Sequence, residues 1–137
     1  MSIENKRVVV YVAHSIVRDV TLFRLELLGI HAIGVGSDEE MQAELAAAVP
    51  DAVVFDLDLD DGAGLRWTEK IAADECTSHV PILCFSSRGD LQEAEDAFRA
   101  GARGFLIVPF DPIVFEDKLL NLIQQAQNRP VAERLLS

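Results

Sequence analysis

Four aspartates follow one apolar run in Phe55-Asp56-Leu57-Asp58-Leu59-Asp60-Asp61-Gly62-Ala63-Gly64. A carboxylate is a nucleophile, a proton carrier and a ligand for hard cations, so a group of this density has three kinds of chemistry open to it. Asp56 closes the apolar run itself, whereas Asp58, Asp60 and Asp61 read first as solvated loop residues. Two hydroxyls, Ser86-Ser87, end a second apolar run, and Val108-Pro109-Phe110-Asp111-Pro112 ends a third. After the first run of the chain stand Val12, Ala13, His14 and Ser15. His14 is a candidate metal ligand or pH-sensitive group, but no second His or Cys lies at ligand spacing, and a surface histidine is the simpler reading. His31 and His79 carry no such signal.

The elements that must position these residues follow from hydrophobic patterning. Five runs rich in β-branched residues, Val8–Ala13, His31–Val35, Ala52–Leu57, Val80–Phe85 and Gly104–Val108, are continuously apolar rather than alternating, which suits strands covered on both faces. Helical spacing fills the gaps: Ile16–Leu28, Ser37–Val49, Gly64–Glu75, Asp90–Ala100 and Pro112–Gln127. Ser37 and Asp111 are expected caps, with Pro112 in a first turn. Strict βα alternation calls for a doubly wound parallel sheet with right-handed crossovers, a three-layer α/β/α domain. In such a sheet ligands sit beyond the carboxyl ends of the strands, which is where the residues above fall. The apolar content of Ile16–Leu28 is expected to be covered between the sheet and the last helix, although Leu22 and Phe23, beside Asp19 and Glu26, are also compatible with docking. Glu93, Glu95, Asp96, Glu116 and Asp117 read as a solvated acidic face with an affinity for a basic partner as the alternative.

Composition narrows the function classes. The 137 residues make one domain, half apolar and 26% charged. A net charge of −11 repels phosphate backbones and anionic lipid, so neither nucleic acid nor membrane is an expected partner. Cys76 and Cys84 form no Cys-x-x-Cys and read as reduced thiols. The N-terminus lacks the apolar stretch of a signal peptide, and a cytoplasmic location is expected.

The anchors Pro50-Asp51-Ala52-Val53-Val54-Phe55-Asp56, Val80-Pro81-Ile82-Leu83-Cys84-Phe85-Ser86-Ser87 and Ala97-Phe98-Arg99-Ala100-Gly101-Ala102-Arg103-Gly104-Phe105-Leu106-Ile107-Val108-Pro109-Phe110 resemble the receiver domain of bacterial response regulators. Arg18 and Gly29 fix the register of the first helix, and the resemblance runs from about Lys6 to Gln127, with residues 1–127 as the domain and 128–137 as a tail or the start of a linker. It implies a five-stranded flavodoxin-like sheet of order 2-1-3-4-5, the order the chemotaxis receivers exemplify. It also implies that Asp56 corresponds to the aspartate that accepts a phosphoryl group from a histidine kinase, Ser86 to its hydroxyl partner, Phe105 to a switch aromatic and Pro109 to a cis-proline.

Three positions depart from the family pattern. Val12 and Ala13 stand where an acidic pair holds Mg²⁺, and Val108 stands where a lysine contacts the phosphoryl group. Asp56 and the backbone carbonyl of Asp58 then remain as the family-type metal ligands, so no cofactor is expected and weak Mg²⁺ binding stays open. The Asp58 side chain lies near the pocket by the same resemblance and could restore part of the lost negative charge; Asp60 replaces the family's usual proline. The pattern implies a degenerate receiver, a non-enzymatic module that docks a protein partner (a histidine kinase, phosphotransfer or effector protein) without phosphorylation, as a monomer or weak homodimer. A working receiver phosphorylated on Asp56 is the alternative. Asp56-Leu57-Asp58 also resembles the first motif of haloacid-dehalogenase-type phosphatases, a remoter reading because Asp60 replaces the expected Thr or Val and no suitable lysine follows.

Overall fold

The structure, a computed structural model, describes residues 5–127. The tail or linker expected over 128–137 lies outside the described residues. The elements run β1 (Arg7–Tyr11), α1 (Ser15–Leu27), β2 (His31–Val35), α2 (Asp38–Ala47), β3 (Ala52–Asp56), a single 3-10 turn (Asp60–Gly62), α3 (Ala63–Ala73), β4 (Ile82–Ser86), α4 (Leu91–Ala100), β5 (Gly104–Ile107) and α5 (Pro112–Gln127). The strands form one sheet of order β2-β1-β3-β4-β5, and every pairing is parallel. This is the doubly wound parallel sheet the alternation calls for, in the flavodoxin-like order that the resemblance implies.

Successive strand residues face opposite layers, and two cores result. Val9, Tyr11, Val53, Phe55 and Cys84 pack with Met41 of α2, Trp67 and Ile71 of α3, and Ala97 of α4. Val8, Val10, Val54, Leu83 and Phe85 pack with Leu25 of α1 and with Phe115, Leu119 and Ile123 of α5. The central strands are therefore covered on both sides, which is why their sequences run apolar without alternation.

Local chemistry sets the helix starts. Ser37 accepts the Glu40 N–H at 3.2 Å, and the Glu40 carboxylate accepts the Gly36 N–H at 2.9 Å. Asp90 accepts from Glu93 N–H at 2.7 Å and Asp111 from Ile113 N–H at 2.9 Å. β4 begins later than the apolar run does, because Pro81 has no N–H to give the ladder and only its carbonyl pairs, accepting from Val53 at 3.1 Å.

α1 departs from its expected burial. Only Leu25 is fully buried on this helix, whereas Ile16, Phe23 and Leu27 are 68%, 65% and 70% exposed. Leu25 joins the core shared with α5, while Arg24 of the same helix forms an ion pair with Glu116 of α5 at 3.0 Å. Among the described residues no helix is long and apolar enough to cross a membrane.

Candidate functional site

The register brings the chemistry-bearing residues to one edge of the sheet. β1 and β3 pair through Tyr11 and Phe55, so Val12 and Asp56 follow at the same level. β3 and β4 pair through Asp56 and Phe85, placing Ser86 next along β4, and Ser86 in turn pairs with Ile107 of β5. The Val108 N–H extends that ladder, donating to the Ser86 carbonyl at 2.8 Å. Asp56, Ser86, Val12 and Val108 thus converge, as the order of strand ends requires.

Asp56 is 8% exposed, and its Oδ1 accepts the Asp58 N–H at 2.8 Å. Burial pushes its carboxyl above the ordinary carboxylate range, the charges of Asp58 and Glu93 push the same way, and the N–H groups of Asp58 and Ala13 pull against them. Behind Asp56, Gly64 lets α3 approach: a Cβ there would lie 2.5 Å from the Asp56 carbonyl oxygen. The edge is therefore built for one particular backbone path through Asp56.

Asp58 is exposed yet bound. Its Oδ2 accepts the Ser87 N–H at 3.0 Å, and its Oδ1 accepts from the Ser86 hydroxyl at 3.4 Å. Ser86 is wholly buried, and its Oγ also accepts the Arg88 N–H at 3.1 Å. The reading of Asp58 as merely solvated is corrected by these bonds, while Asp60 and Asp61 are exposed as expected. The resemblance sets Asp58 apart from the other two by placing it near the pocket, but its partners, Ser86 and Ser87, depend on the loop path.

Val12 is 1% exposed and belongs to the apolar core facing α1 and α5, while Ala13 is exposed. The Val12 carbonyl accepts the Arg18 guanidinium at 2.7 Å, which ties down the turn into α1. Val108 packs against the same core, and the Val108–Pro109 bond is cis. Beyond it Phe110 meets Phe85 edge-on at 5.8 Å and stacks on Phe115 at 5.5 Å. Phe105 pairs with Cys84 and packs, partly buried, against the other core.

Two residues have roles that patterning did not reveal. His14 caps α1, its Nδ1 accepting the Val17 N–H at 3.4 Å, so that ring nitrogen serves the helix start. Glu93, read as part of a solvated face, is 9% exposed; its Oε1 has no hydrogen-bond partner and its Oε2 lies 3.6 Å from the Arg88 guanidinium. The signal for Glu93 was its place three residues after the Asp90 cap, where a side chain turns back over the helix start.

Side-chain donors for a divalent cation are few at this edge. Among the described residues no group of three or more His, Cys, Asp or Glu side chains could hold a metal ion. At the edge itself Val12 and Ala13 offer no side-chain oxygen, and the Asp58 carboxylate is engaged by Ser86 and Ser87. Mg²⁺ requires near-octahedral oxygen coordination and gives up water reluctantly, and Asp56 is the one family-type carboxylate facing it here.

Comparison with solved structures gives the same architecture. A CheY-like response regulator receiver domain protein from Methanospirillum hungatei superposes with a TM-score of 0.82 over 90% of this chain and 98% of that one, at 18% identity. Among curated proteins, the DNA-binding dual master transcriptional regulator RpaA of Synechocystis is 25% identical over 118 residues, 86% of this chain and 49% of that protein. The chemotaxis protein CheY1 of Helicobacter pylori is 28% identical over 86 residues, 63% of this chain and 67% of that protein. The chain spans about half the length of the transcriptional regulators it matches. The family model described as the response regulator receiver domain matches residues 9–120, and the chain belongs to that family.

Proposed function

We propose that this two-component receiver domain works as a phosphorylation-independent protein-interaction module. The observation that carries the reading is Val12, 1% exposed within an apolar core at the place where the family holds its metal with acidic residues. An isopropyl group there offers no ligand, and packing commits the position to hydrophobic burial. Val108 likewise leaves a phosphoryl group on Asp56 without the lysine's charge-assisted hydrogen bond, a loss of about 1.5–3 kcal/mol. On this reading Asp56 and Ser86 keep the acceptor and hydroxyl positions, the domain turns over no substrate, needs no cofactor, and acts through protein partners such as a histidine kinase, phosphotransfer or effector protein. The surface charge of the −11 chain favours a partner with basic residues at its rim.

A second reading, a working receiver phosphorylated on Asp56, is favoured by the placement of Asp56 and Ser86 at one edge. Intact mass after incubation with acetyl phosphate separates the two, with and without Mg²⁺ and against Asp56→Ala. In a productive reaction an Asp56 carboxylate oxygen attacks phosphorus, the phosphorus–oxygen bond to acetate breaks, and acetate leaves. No adduct on a folded protein is the expected result. An adduct that needs both Mg²⁺ and Asp56 would overturn the proposal in favour of the second reading.

A further inference from the structure

We infer that Asp58 is an internal ligand of the donor corner formed by Ser86 and Ser87, a carboxylate latch that closes the loop after β3 onto the loop after β4. The inference rests on the reading of this edge as a receiver pocket and adds to it the means by which the pocket is held without phosphate.

The geometry is that of a bound oxyanion. Each oxygen of the Asp58 carboxylate meets its own donor, Oδ1 the Ser86 hydroxyl at 3.4 Å and Oδ2 the Ser87 N–H at 3.0 Å. The hydroxyl is directed: its oxygen accepts the Arg88 N–H at 3.1 Å, which leaves its proton to Asp58. The Asp58 backbone completes the clamp, since its N–H donates to Asp56 Oδ1 at 2.8 Å. One residue therefore holds the acceptor carboxylate with its main chain and the donor corner with its side chain.

The latch competes with any oxyanion carried by Asp56. The ladder runs past the strand ends through a bond from the Leu57 N–H to the Phe85 carbonyl at 2.8 Å, so the two loops leave the sheet side by side. A phosphoryl oxygen on Asp56 would need the donors that Asp58 already occupies. No lysine at 108 helps to displace the latch, and the nearby Arg88 guanidinium is drawn instead to Asp90 at 3.7 Å and Glu93 at 3.6 Å. The loop after β4 is thereby fixed by an internal negative charge, in a domain that lacks the groups to recruit an external one.

Amide hydrogen exchange read by NMR tests the latch in the intact chain. Replacing Asp58 by Ala is expected to speed exchange at the Ser87 amide by about tenfold or more, the loss of one charge-assisted hydrogen bond, with Asp58→Asn between the two. Protection at Val10 and Val54 is expected to stay as in the parent, which separates local release from loss of the fold. Equal Ser87 exchange in parent and Asp58→Ala, with those core amides unchanged, would overturn the inference. This readout needs no phosphorylation, so it stands apart from the acetyl phosphate experiment: an Mg²⁺-dependent adduct on the parent sinks the phosphorylation-independent reading, whereas only the Ser87 amide decides the latch.

Discussion

Val12 leaves β1 level with Asp56 on β3, because the residues before them, Tyr11 and Phe55, are ladder partners. The residue that follows β1 at the level of this buried carboxylate thus carries an isopropyl group and is 1% exposed. Restoring the family pattern with Val12→Asp, Ala13→Asp and Val108→Lys sets two effects against each other. Without metal, an acid in the apolar site of Val12 and three carboxylates crowded at one edge are expected to cost about 1–3 kcal/mol. With millimolar MgCl₂ that loss should be recovered, since a ligand that binds only the folded state raises its stability. Thermal melts with and without Mg²⁺ check the first part, and an Mg²⁺-dependent adduct from acetyl phosphate checks the second. A triple variant that neither melts higher with Mg²⁺ nor forms an adduct would show that family-type residues at these three positions are not enough to bring Mg²⁺ and a phosphoryl group to this edge.

The raised carboxyl of Asp56 makes a prediction about pH. Its first cause is burial, so the folded state pays to keep the group ionised. A carboxyl whose folded value lies above its unfolded value contributes stability when protonated, and that contribution is lost as pH rises through the folded value. Asp56→Asn keeps the shape and removes the charge, so at neutral pH it should melt higher than the parent. The difference should shrink as pH falls from the raised value toward the ordinary carboxylate value near 4. A parent and variant that melt together at neutral pH would contradict the burial penalty.

The fold was legible because it depends on features that are local in sequence. Five apolar runs alternating with helical spacing fix a parallel sheet, and Ser37, Asp90 and Asp111 mark helix starts that the structure places within a residue. The convergence of Asp56, Ser86, Val12 and Val108 was legible for the same reason, since each ends a strand or directly follows one. The resemblance put Asp58 near the pocket, but its partners and the burial of Glu93 were not legible, because the direction of an acidic side chain in polar surroundings is set by tertiary contacts: Asp58 reaches across to the β4 loop, and Glu93 lies beside Arg88. The exposure of α1 was hidden too, because Ile16, Val20, Phe23 and Leu27 pattern like any buried helix face, and only the folded chain shows that no other element covers them.

Asp38 binds the only tyrosine and the only tryptophan of the chain, accepting from Tyr11 Oη at 2.8 Å and Trp67 Nε1 at 2.9 Å through the same oxygen. Trp67 does most to hold Asp38 below the ordinary carboxylate range, with Tyr11 and Arg66 adding to it. The Tyr11 phenol is pushed up to about 12, first by burial and then by the hydrogen bond and charge of Asp38. Neutral Tyr11 therefore contributes stability that is lost as pH rises from the ordinary value of 10 toward about 12. Asp38→Ala should lower the tyrosinate midpoint in a rapid pH-jump absorbance experiment, leaving the part due to burial. It should also shift Trp67 fluorescence and cost about 1–3 kcal/mol, because two donors lose their acceptor. An unchanged tyrosinate midpoint would mean that Asp38 does not set the phenol's environment.

Gly64 and Gly62 stand two residues apart and predict opposite kinds of damage. At Gly64 a Cβ would meet the Asp56 carbonyl oxygen at 2.5 Å and a Leu57 methyl at 3.1 Å, so Gly64→Ala must move backbone and not merely a side chain. Helix propensity returns about 1 kcal/mol to alanine inside α3, yet overpacking against main chain costs about 1–3 kcal/mol and displaces Asp56. At Gly62 a Cβ meets nothing within 4 Å, and the penalty comes only from a φ of +66°. Gly62→Ala should therefore cost about 1 kcal/mol and leave the pocket in place. Thermal melts measure both costs, and amide shifts at Asp56, Asp58 and Ser87 report the displacement. If Gly64→Ala leaves those three amides where they are, α3 has room to retreat from β3 and the site does not depend on their close approach.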